Sequence, residues 1–339
     1  MSILLEVINL HTSFFTHQGE VKAVRGLSFV LEHGEILGIV GESGSGKSVS
    51  SMSLIGLVDE PGKIIQGSVL FDGKELVGLP KKELENIRGK EISMIFQDPM
   101  TSLNPVFRIG SQIVEVIMRH TQITRVDAEK KAVDLLELVG IPEAKDRIKS
   151  YPHQFSGGMR QRAMIAMAIS CDPKLLIADE PTTALDVTIQ AQILELMRDL
   201  NKKLNTSVIL ITHDLGVVAE TCDKVIVMYG GMVMENASVL ELFDNPQHPY
   251  TRGLMKSVPK DVSGTRTRLE PIAGTPPDLL KPPPGCPFSP RCPHTMEIYI
   301  QEAAPMFKIT DTQSASCWLH HKKAPSVLNY IKTTEEVDS

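Results

Sequence analysis

The stretch Gly41-Glu42-Ser43-Gly44-Ser45-Gly46-Lys47-Ser48 constrains this chain more than any other, because it satisfies the phosphate-loop pattern G-x-x-x-x-G-K-[ST] at every specified position. The apolar run Glu35 to Val40 ahead of it suits a buried parallel strand, and Lys47 to Leu57 behind it continues as a helix. The pattern therefore sits in the strand, loop, helix context that it needs. Glycines let the backbone curl until successive N–H groups and the positive end of the helix converge on phosphate oxygens, and a side chain at Gly44 or Gly46 is expected to crowd such a ligand. Lys47 then bridges the outer phosphates, and Ser48 sets its hydroxyl on a magnesium ion. The residues predict a nucleotide site.

At 339 residues the chain has room for one large or two moderate domains. Charged residues make up 22% and the net charge is -6, so no nucleic-acid footprint is present. No run of about eighteen apolar residues is found and the N-terminus lacks a signal-peptide pattern, so a cytoplasmic protein is expected, held at a membrane only through partners. Five cysteines do not make a secreted disulfide framework, but Cys286, Cys292 and Cys317 cluster near the C-terminus while Cys171 and Cys222 lie apart.

Along the chain, Leu4 to Leu10 and Val21 to Val30 alternate apolar and polar about a turn at Gln18-Gly19, as antiparallel strands do. Phe14 and Phe15 lie at the tip of that hairpin, where an exposed ring could stack on a nucleotide base; packing under the sheet is the alternative for either. Gly67 to Phe71 with Asp72-Gly73 reads as a strand closed by a tight turn. From Asp98 to Pro152 the period becomes helical. Ile113, Val114, Ile117 and Met118 share one face, and Ala128, Ala132, Leu135, Leu136 and Val139 another, with Gly140 as a stop.

Gln97 ends the β-rich run before that helical stretch. After it, Ser156-Gly157-Gly158 opens a helix and offers N–H groups to an anion. Leu175 to Ala178 is an apolar strand running into Asp179 and Glu180, which places one carboxylate near the metal and the next where it can polarise a water. Asp186 precedes a helix from about Ile189 to Leu204. Ser207 to Thr212 is a further strand, ending at His213.

Taken in order, Gly41 to Ser48, Gln97, Ser156-Gly157-Gly158, Asp179-Glu180, Asp186 and His213 resemble the ATP-binding cassette family of transport ATPases over roughly residues 3 to 256. The resemblance implies an α/β P-loop cassette with a RecA-like core, an antiparallel β subdomain and an α-helical insertion at about 98–160. It implies ATP and magnesium as ligands, with Gly41 to Val49, Phe15, Ser156, Gly157, Gly158 and Asp186 at the nucleotide and Ser48, Gln97 and Asp179 at the metal. Glu180 is then the general base, Gln97 a sensor of the γ-phosphate and of the transmembrane partner, and His213 a switch on the γ-phosphate. The signature segment departs from the family at Phe155 and Met159.

Two cassettes are implied to close head to tail over ATP, a heterodimer in the assembled importer with a homodimer open in isolation. Two transmembrane permease subunits and, indirectly, an extracytoplasmic solute-binding protein complete the expected partners; no nucleic acid is among them. Asn245 to Leu254 and Gly274 to Leu279 resemble segments of the ATPase subunits of bacterial oligopeptide, dipeptide and nickel importers, nearest the D-type peptide-permease subunits. Peptide import is the implied function. A nickel importer and a soluble cassette acting on nucleic acid or ribosomes stand as alternatives.

Beyond Val258 lie 12 of the 22 prolines, so residues 259–339 are expected as a separate, extended, helix-poor region after a cassette ending at 258. Its segment Cys286 to Pro293 also resembles these importer subunits, and with Cys317 it implies an iron-sulfur (4Fe-4S) cluster; zinc and metal-free buried thiols are the alternatives. The family pattern has a fourth cysteine where Tyr299 stands, which leaves His294, His320, His321, Tyr299 or a small molecule as fourth ligand.

Overall fold

Period-two patterning shapes the first elements, although adjacent Leu4 and Leu5 are both buried. In β1 (Ile3–Thr16) the side chains of Leu5 and Val7 are buried while Ile8 faces out, and β1 lies between β2 (Gly19–Glu32) and β4 (Gly62–Phe71) with Leu5 opposite Phe71 and Val7 opposite Val69. The expected hairpin at Gln18-Gly19 forms. β4 begins earlier than its sequence suggests, because Gly67 marks a bulge within the strand and not its start. The register slips opposite Ile8 to His11, and a Cβ on Gly67 would lie 2.5 Å from Leu10 Cα. Asp72 and Gly73, both at positive φ, close the tight turn into β5 (Lys74–Glu75).

The computed structural model describes residues 2–98, 102–183, 185–257, 271–327 and 330, and its chain divides into two units. One holds residues 3–31, 37–77 and 212 onward; the other holds 1–2, 32–36 and 78–211. The expected boundary between 258 and 259 lies outside the described residues. Among the described residues no helix is long and apolar enough to cross a membrane.

In the first unit, β3 (Ile36–Val40), buried along its whole length, pairs in parallel with β9 (Lys224–Tyr229). A continuous apolar run of this kind is what a strand covered on both faces requires. β9 turns at Gly230-Gly231 into antiparallel β10 (Met232–Ser238), and the C-terminal region then adds β12 (Ser314–Ala315) and β11 (Phe307–Lys308) beyond β10. The proline-rich tail is indeed poor in helix, with Glu297–Gln301 its one α-helix among the described residues. It docks on β10, and its Phe288, Tyr299 and Leu319 enter the same core as Val225, Tyr229 and Tyr250.

In the other unit, β6 (Ile92–Ile95), β7 (Leu175–Asp179) and β8 (Ser207–Thr212) run parallel, with Ile92 opposite Leu175 and Asp179 opposite Ile211. Helices Ile109–His120, Arg125–Leu138 and Ala144–Arg147 form the expected helical insertion. Ile113, Val114 and Ile117 are buried as the period requires, but Met118 is 44% exposed, being one position past the buried stripe. Thr124 caps the second of these helices by accepting from Asp127 N–H, and Gly140 follows its end at φ +78.

Glu235 on β10 joins three parts of the first unit. Fully buried, it accepts from Gln247 N–H at 2.7 Å, His248 N–H at 2.8 Å and Gln313 Nε2 at 2.9 Å. Burial pushes its carboxyl up, against the pull of these donors. Glu235→Ala strands all three donors and is expected to cost about 3 kcal/mol, whereas Glu235→Gln, which keeps an acceptor oxygen, costs less. Urea denaturation of the two variants checks the order.

Candidate functional site

The loop between β3 and helix Lys47–Leu54 closes on its own lysine. Lys47, only 5% exposed, donates from Nζ to Gly41 O at 2.7 Å and Glu42 O at 3.0 Å. Ser45 N–H returns to Glu42 O at 3.1 Å, and Ser45 O accepts from Gly231 N–H at 3.0 Å, so the ring of backbone is pinned to the β9–β10 turn. Ser43 and Gly44 form its exposed tip, Ser48 and Val49 are half-buried in the first helical turn, and the Ser45 hydroxyl is buried without a hydrogen-bond partner. Gly46 serves as N-cap with no side-chain cap, and the first turn carries no acidic residue. The positive end of the helix is left for an anion.

The glycines act for different reasons. Gly46, at φ +102, would bring a Cβ to 2.5 Å from Ala23 O, and a Cβ on Gly41 would meet Met228 O. Gly44, at φ +76, has open space around it, so its need is conformational and not steric within the protein.

Two side chains that sequence reasoning left without a role hold the same loop. Glu42 N–H donates to Tyr250 Oη at 2.8 Å, and the Glu42 carboxylate takes a two-point ion pair from Arg291, at 2.6 and 3.1 Å. Both lie in segments noticed in the sequence, Asn245 to Leu254 and Cys286 to Pro293, but no spacing rule ties positions more than two hundred residues apart. Phe15, at the hairpin tip, is 48% exposed, while the Phe14 ring packs where a Cβ on Gly62 would be. His213 follows β8 and is exposed.

In the other unit, Asp179 ends β7 and is buried. Glu180 follows at φ +46, its N–H on Ile211 O at 2.9 Å. Its Oε2 accepts from Gln97 Nε2 at 3.0 Å and Thr183 Oγ1 at 2.9 Å. Gln97 and Glu180, 83 positions apart, are thus brought together. Ser156 caps helix Gly157–Ala168 by accepting from Met159 N–H at 3.3 Å, and a Cβ on Gly158 would lie 2.8 Å from Ile189. Asp186 caps helix Val187–Leu204 through Ile189 N–H at 3.0 Å.

The cysteine reading requires a correction. Cys286, Cys292 and Cys317 do share one core with Tyr299, but among the described residues no three of His, Cys, Asp and Glu are disposed to hold a metal ion. Burial raises all three thiols, Cys286 to about 11, as for buried thiols that hold no metal. Of the other proposed ligands, Tyr299 has a buried hydroxyl with no hydrogen-bond partner among the described residues, and the histidines make contacts of their own. His320 Nε2 lies 3.0 Å from Gln247 O, the His294 ring stacks edge-on against Tyr330, and His321 Nδ1 accepts from Lys323 N–H. Among the described residues, the placement gives no support to an iron-sulfur cluster or a zinc ion.

A family model described as ABC transporter matches residues 24–183, and one described as oligopeptide/dipeptide transporter, C-terminal region, matches residues 234–298. The oligopeptide transport ATP-binding protein OppD of Bacillus subtilis is 57% identical over 325 residues, 96% of this chain and 91% of that protein. The dipeptide transport ATP-binding protein DppD of the same organism is 53% identical over 326 residues, 96% of this chain and 97% of that protein. Among solved structures, the dimeric ATP-binding cassette MJ0796 bound to ADP and Pi has a TM-score of 0.63 at 26% identity, covering 70% of this chain and 99% of that one. The structure of cbiO1 from Clostridium perfringens, part of the ABC transporter complex cbiONQ, has 0.62 at 28%, covering 72% and 92%.

The two loop glycines separate in a stability measurement. Gly44→Ala carries only the left-handed backbone cost of about 1 kcal/mol, whereas Gly46→Ala adds a clash with a carbonyl that cannot swing away and costs about 3 kcal/mol. Equal shifts of the two variants in thermal unfolding would contradict this assignment.

Proposed function

The chain belongs to the ABC transporter family of ATPases, and from that premise we propose that it is the ATP-hydrolysing subunit of an importer of oligopeptides or dipeptides. The observation that carries the substrate class is the match of residues 234–298 to the oligopeptide/dipeptide C-terminal region, together with near full-length relatives named for oligopeptide and dipeptide transport. Those names favour peptide over nickel, and give nothing to a role on nucleic acid or ribosomes.

In this reading the uncapped helix end and the loop N–H groups take the phosphates, while the Lys47 ammonium moves from the Gly41 and Glu42 carbonyls onto phosphate oxygens. Phe15, exposed, stacks on the base. The Ser48 hydroxyl is assigned as a magnesium ligand, as are the Gln97 amide oxygen and the Asp179 carboxylate, each a hard oxygen donor of the kind that ion prefers. When bound, that ion neutralises charge on the β- and γ-phosphates. Glu180 is the general base toward the attacking water; Gln97 donates to the same carboxylate and so links the base to the γ-phosphate site. His213 contacts the γ-phosphate. Ser156, Gly157, Gly158 and Asp186 act at the nucleotide of a second cassette, a related but different ATPase subunit in the assembled importer. Two permease subunits supply the membrane path, which places the chain on the cytoplasmic face as a peripheral subunit, and a solute-binding protein delivers the peptide. No step runs through a cluster or zinc ion.

Glu180→Gln is expected to lower kcat about 100-fold or more while the Kd for MgATP stays within about threefold, because the base is lost and the phosphate contacts remain. Lys47→Ala is expected to weaken MgATP binding at least about tenfold. Single-turnover hydrolysis and nucleotide titration check both, and recovery of the chain from membranes with two permease proteins checks the assignment to import. A Glu180→Gln protein as active as the unmutated one would remove Glu180 as base.

A further inference from the structure

We infer that Arg291, far along the C-terminal segment, is a positioning residue for nucleotide binding: through Glu42 it holds the phosphate loop in its receptive shape and cancels a carboxylate that would otherwise repel the phosphates. This deepens the reading of that loop as the MgATP site and rests on it.

Glu42 is a variable position of the phosphate-loop pattern, and an acid there is electrostatically wrong for binding a polyanion unless it is compensated. Here the compensation is built in. The Arg291 side chain is 5% exposed and that of Glu42 25%, and the fork meets the carboxylate at 2.6 and 3.1 Å. A part-buried two-point pair of this kind is better oriented than a fully exposed one. The three remaining N–H groups of the guanidinium are also used: one on Tyr229 Oη at 2.9 Å, one on Ala273 O at 2.8 Å and one on Ile272 O at 2.9 Å. All five donors are satisfied, so the orientation of Arg291 is set by the fold around it as well as by Glu42.

Every polar group of Glu42 is held in turn. Its N–H is on Tyr250 Oη, its carbonyl accepts from Lys47 Nζ and Ser45 N–H, and its carboxylate is on Arg291. The Lys47 ammonium and the Arg291 guanidinium therefore hold one residue, the first by its carbonyl and the second by its carboxylate. Tail segment 272–274 passes over Arg291 closely enough that a Cβ on Gly274, at φ +86, would lie 3.2 Å from its Cγ. What the tail contributes to the ATP site is thus a fixed counter-charge and a fixed loop, at a position that touches no phosphate itself.

The test uses the full chain. Arg291→Ala is expected to raise both the Kd for MgATP and the KM about tenfold, with kcat at saturating MgATP changing by much less, because an uncompensated carboxylate now faces the nucleotide from a looser loop. Adding Glu42→Gln to Arg291→Ala is expected to recover a large part of that loss, since the repelling charge is gone. A role confined to folding would lower the melting temperature and the active fraction, leave KM unchanged and show no recovery in the double variant; that result overturns the proposal. If Arg291→Ala does not fold, Arg291→Lys, which keeps the charge but loses the fork, takes its place, with about a threefold rise in KM expected and an unchanged KM decisive against. An unmutated chain that binds no MgATP would instead sink the functional reading on which this inference rests.

Discussion

A lysine ammonium held almost wholly out of water is the constraint around which the first unit is arranged. Taking the charge of Lys47 out of solvent is costly unless acceptors replace the water, and the only way to supply two carbonyls from Gly41 and Glu42 is to wrap the backbone tightly over the helix end. That wrap forces Gly46 beneath Ala23 O and Gly41 beside Met228 O, so β2 and β9 must run where they do for the loop to exist. Phosphate oxygens are better partners for an ammonium than amide carbonyls are. In the proposed reading, a nucleotide would draw the lysine away from these two carbonyls.

The tail belongs to the same construction. Tyr229, Tyr250 and Phe288 meet with ring centroids 4.5 to 5.4 Å apart, joining β9, the helix Pro249–Lys256 and the proline-rich segment in one aromatic core. Such pairs contribute about 1 kcal/mol each beyond their burial, which matters for a segment with few apolar residues of its own. Tyr229 and Tyr250 also direct their hydroxyls to Arg291 and Glu42, so one cluster supplies both packing and polar anchorage. The thiols of Cys286 and Cys317 are buried alongside, as apolar groups in that core.

Glu180 shows the opposite economy. A non-glycine residue at φ +46 carries roughly 1–2 kcal/mol of backbone strain, and it persists because Ile211 O takes its N–H while Gln97 and Thr183 fix its carboxylate. The strain sits at the residue assigned as base, directly after a strand of five buried residues. A rigid strand and a strained step after it aim the carboxylate more sharply than a relaxed turn would.

Much of this molecule was legible in its residues because the relevant physics is local. Phosphate-loop spacing, period-two and period-3.6 burial, the Asp72-Gly73 turn and the helix opening at Ser156-Gly157-Gly158 involve groups a few positions apart, and their geometry follows from the local backbone. The extra length of β4 escaped, since a glycine at a bulge reads like a strand end until its partner strand is known. The iron-sulfur expectation finds no support for a related reason: cysteine spacing shows that thiols can meet, but whether they meet as thiolate ligands or as buried apolar groups is set by the packing around them. By itself the sequence determined that there is a phosphate loop after a buried strand, a second apolar strand that ends in carboxylates and a helical insertion, because each of these is a short-range pattern. Only the tertiary structure decided that Tyr250 and Arg291 hold that loop, because a hydrogen bond between residues 208 positions apart and an ion pair between residues 249 apart leave no periodic trace in the chain and exist only once the tail has folded back onto β10.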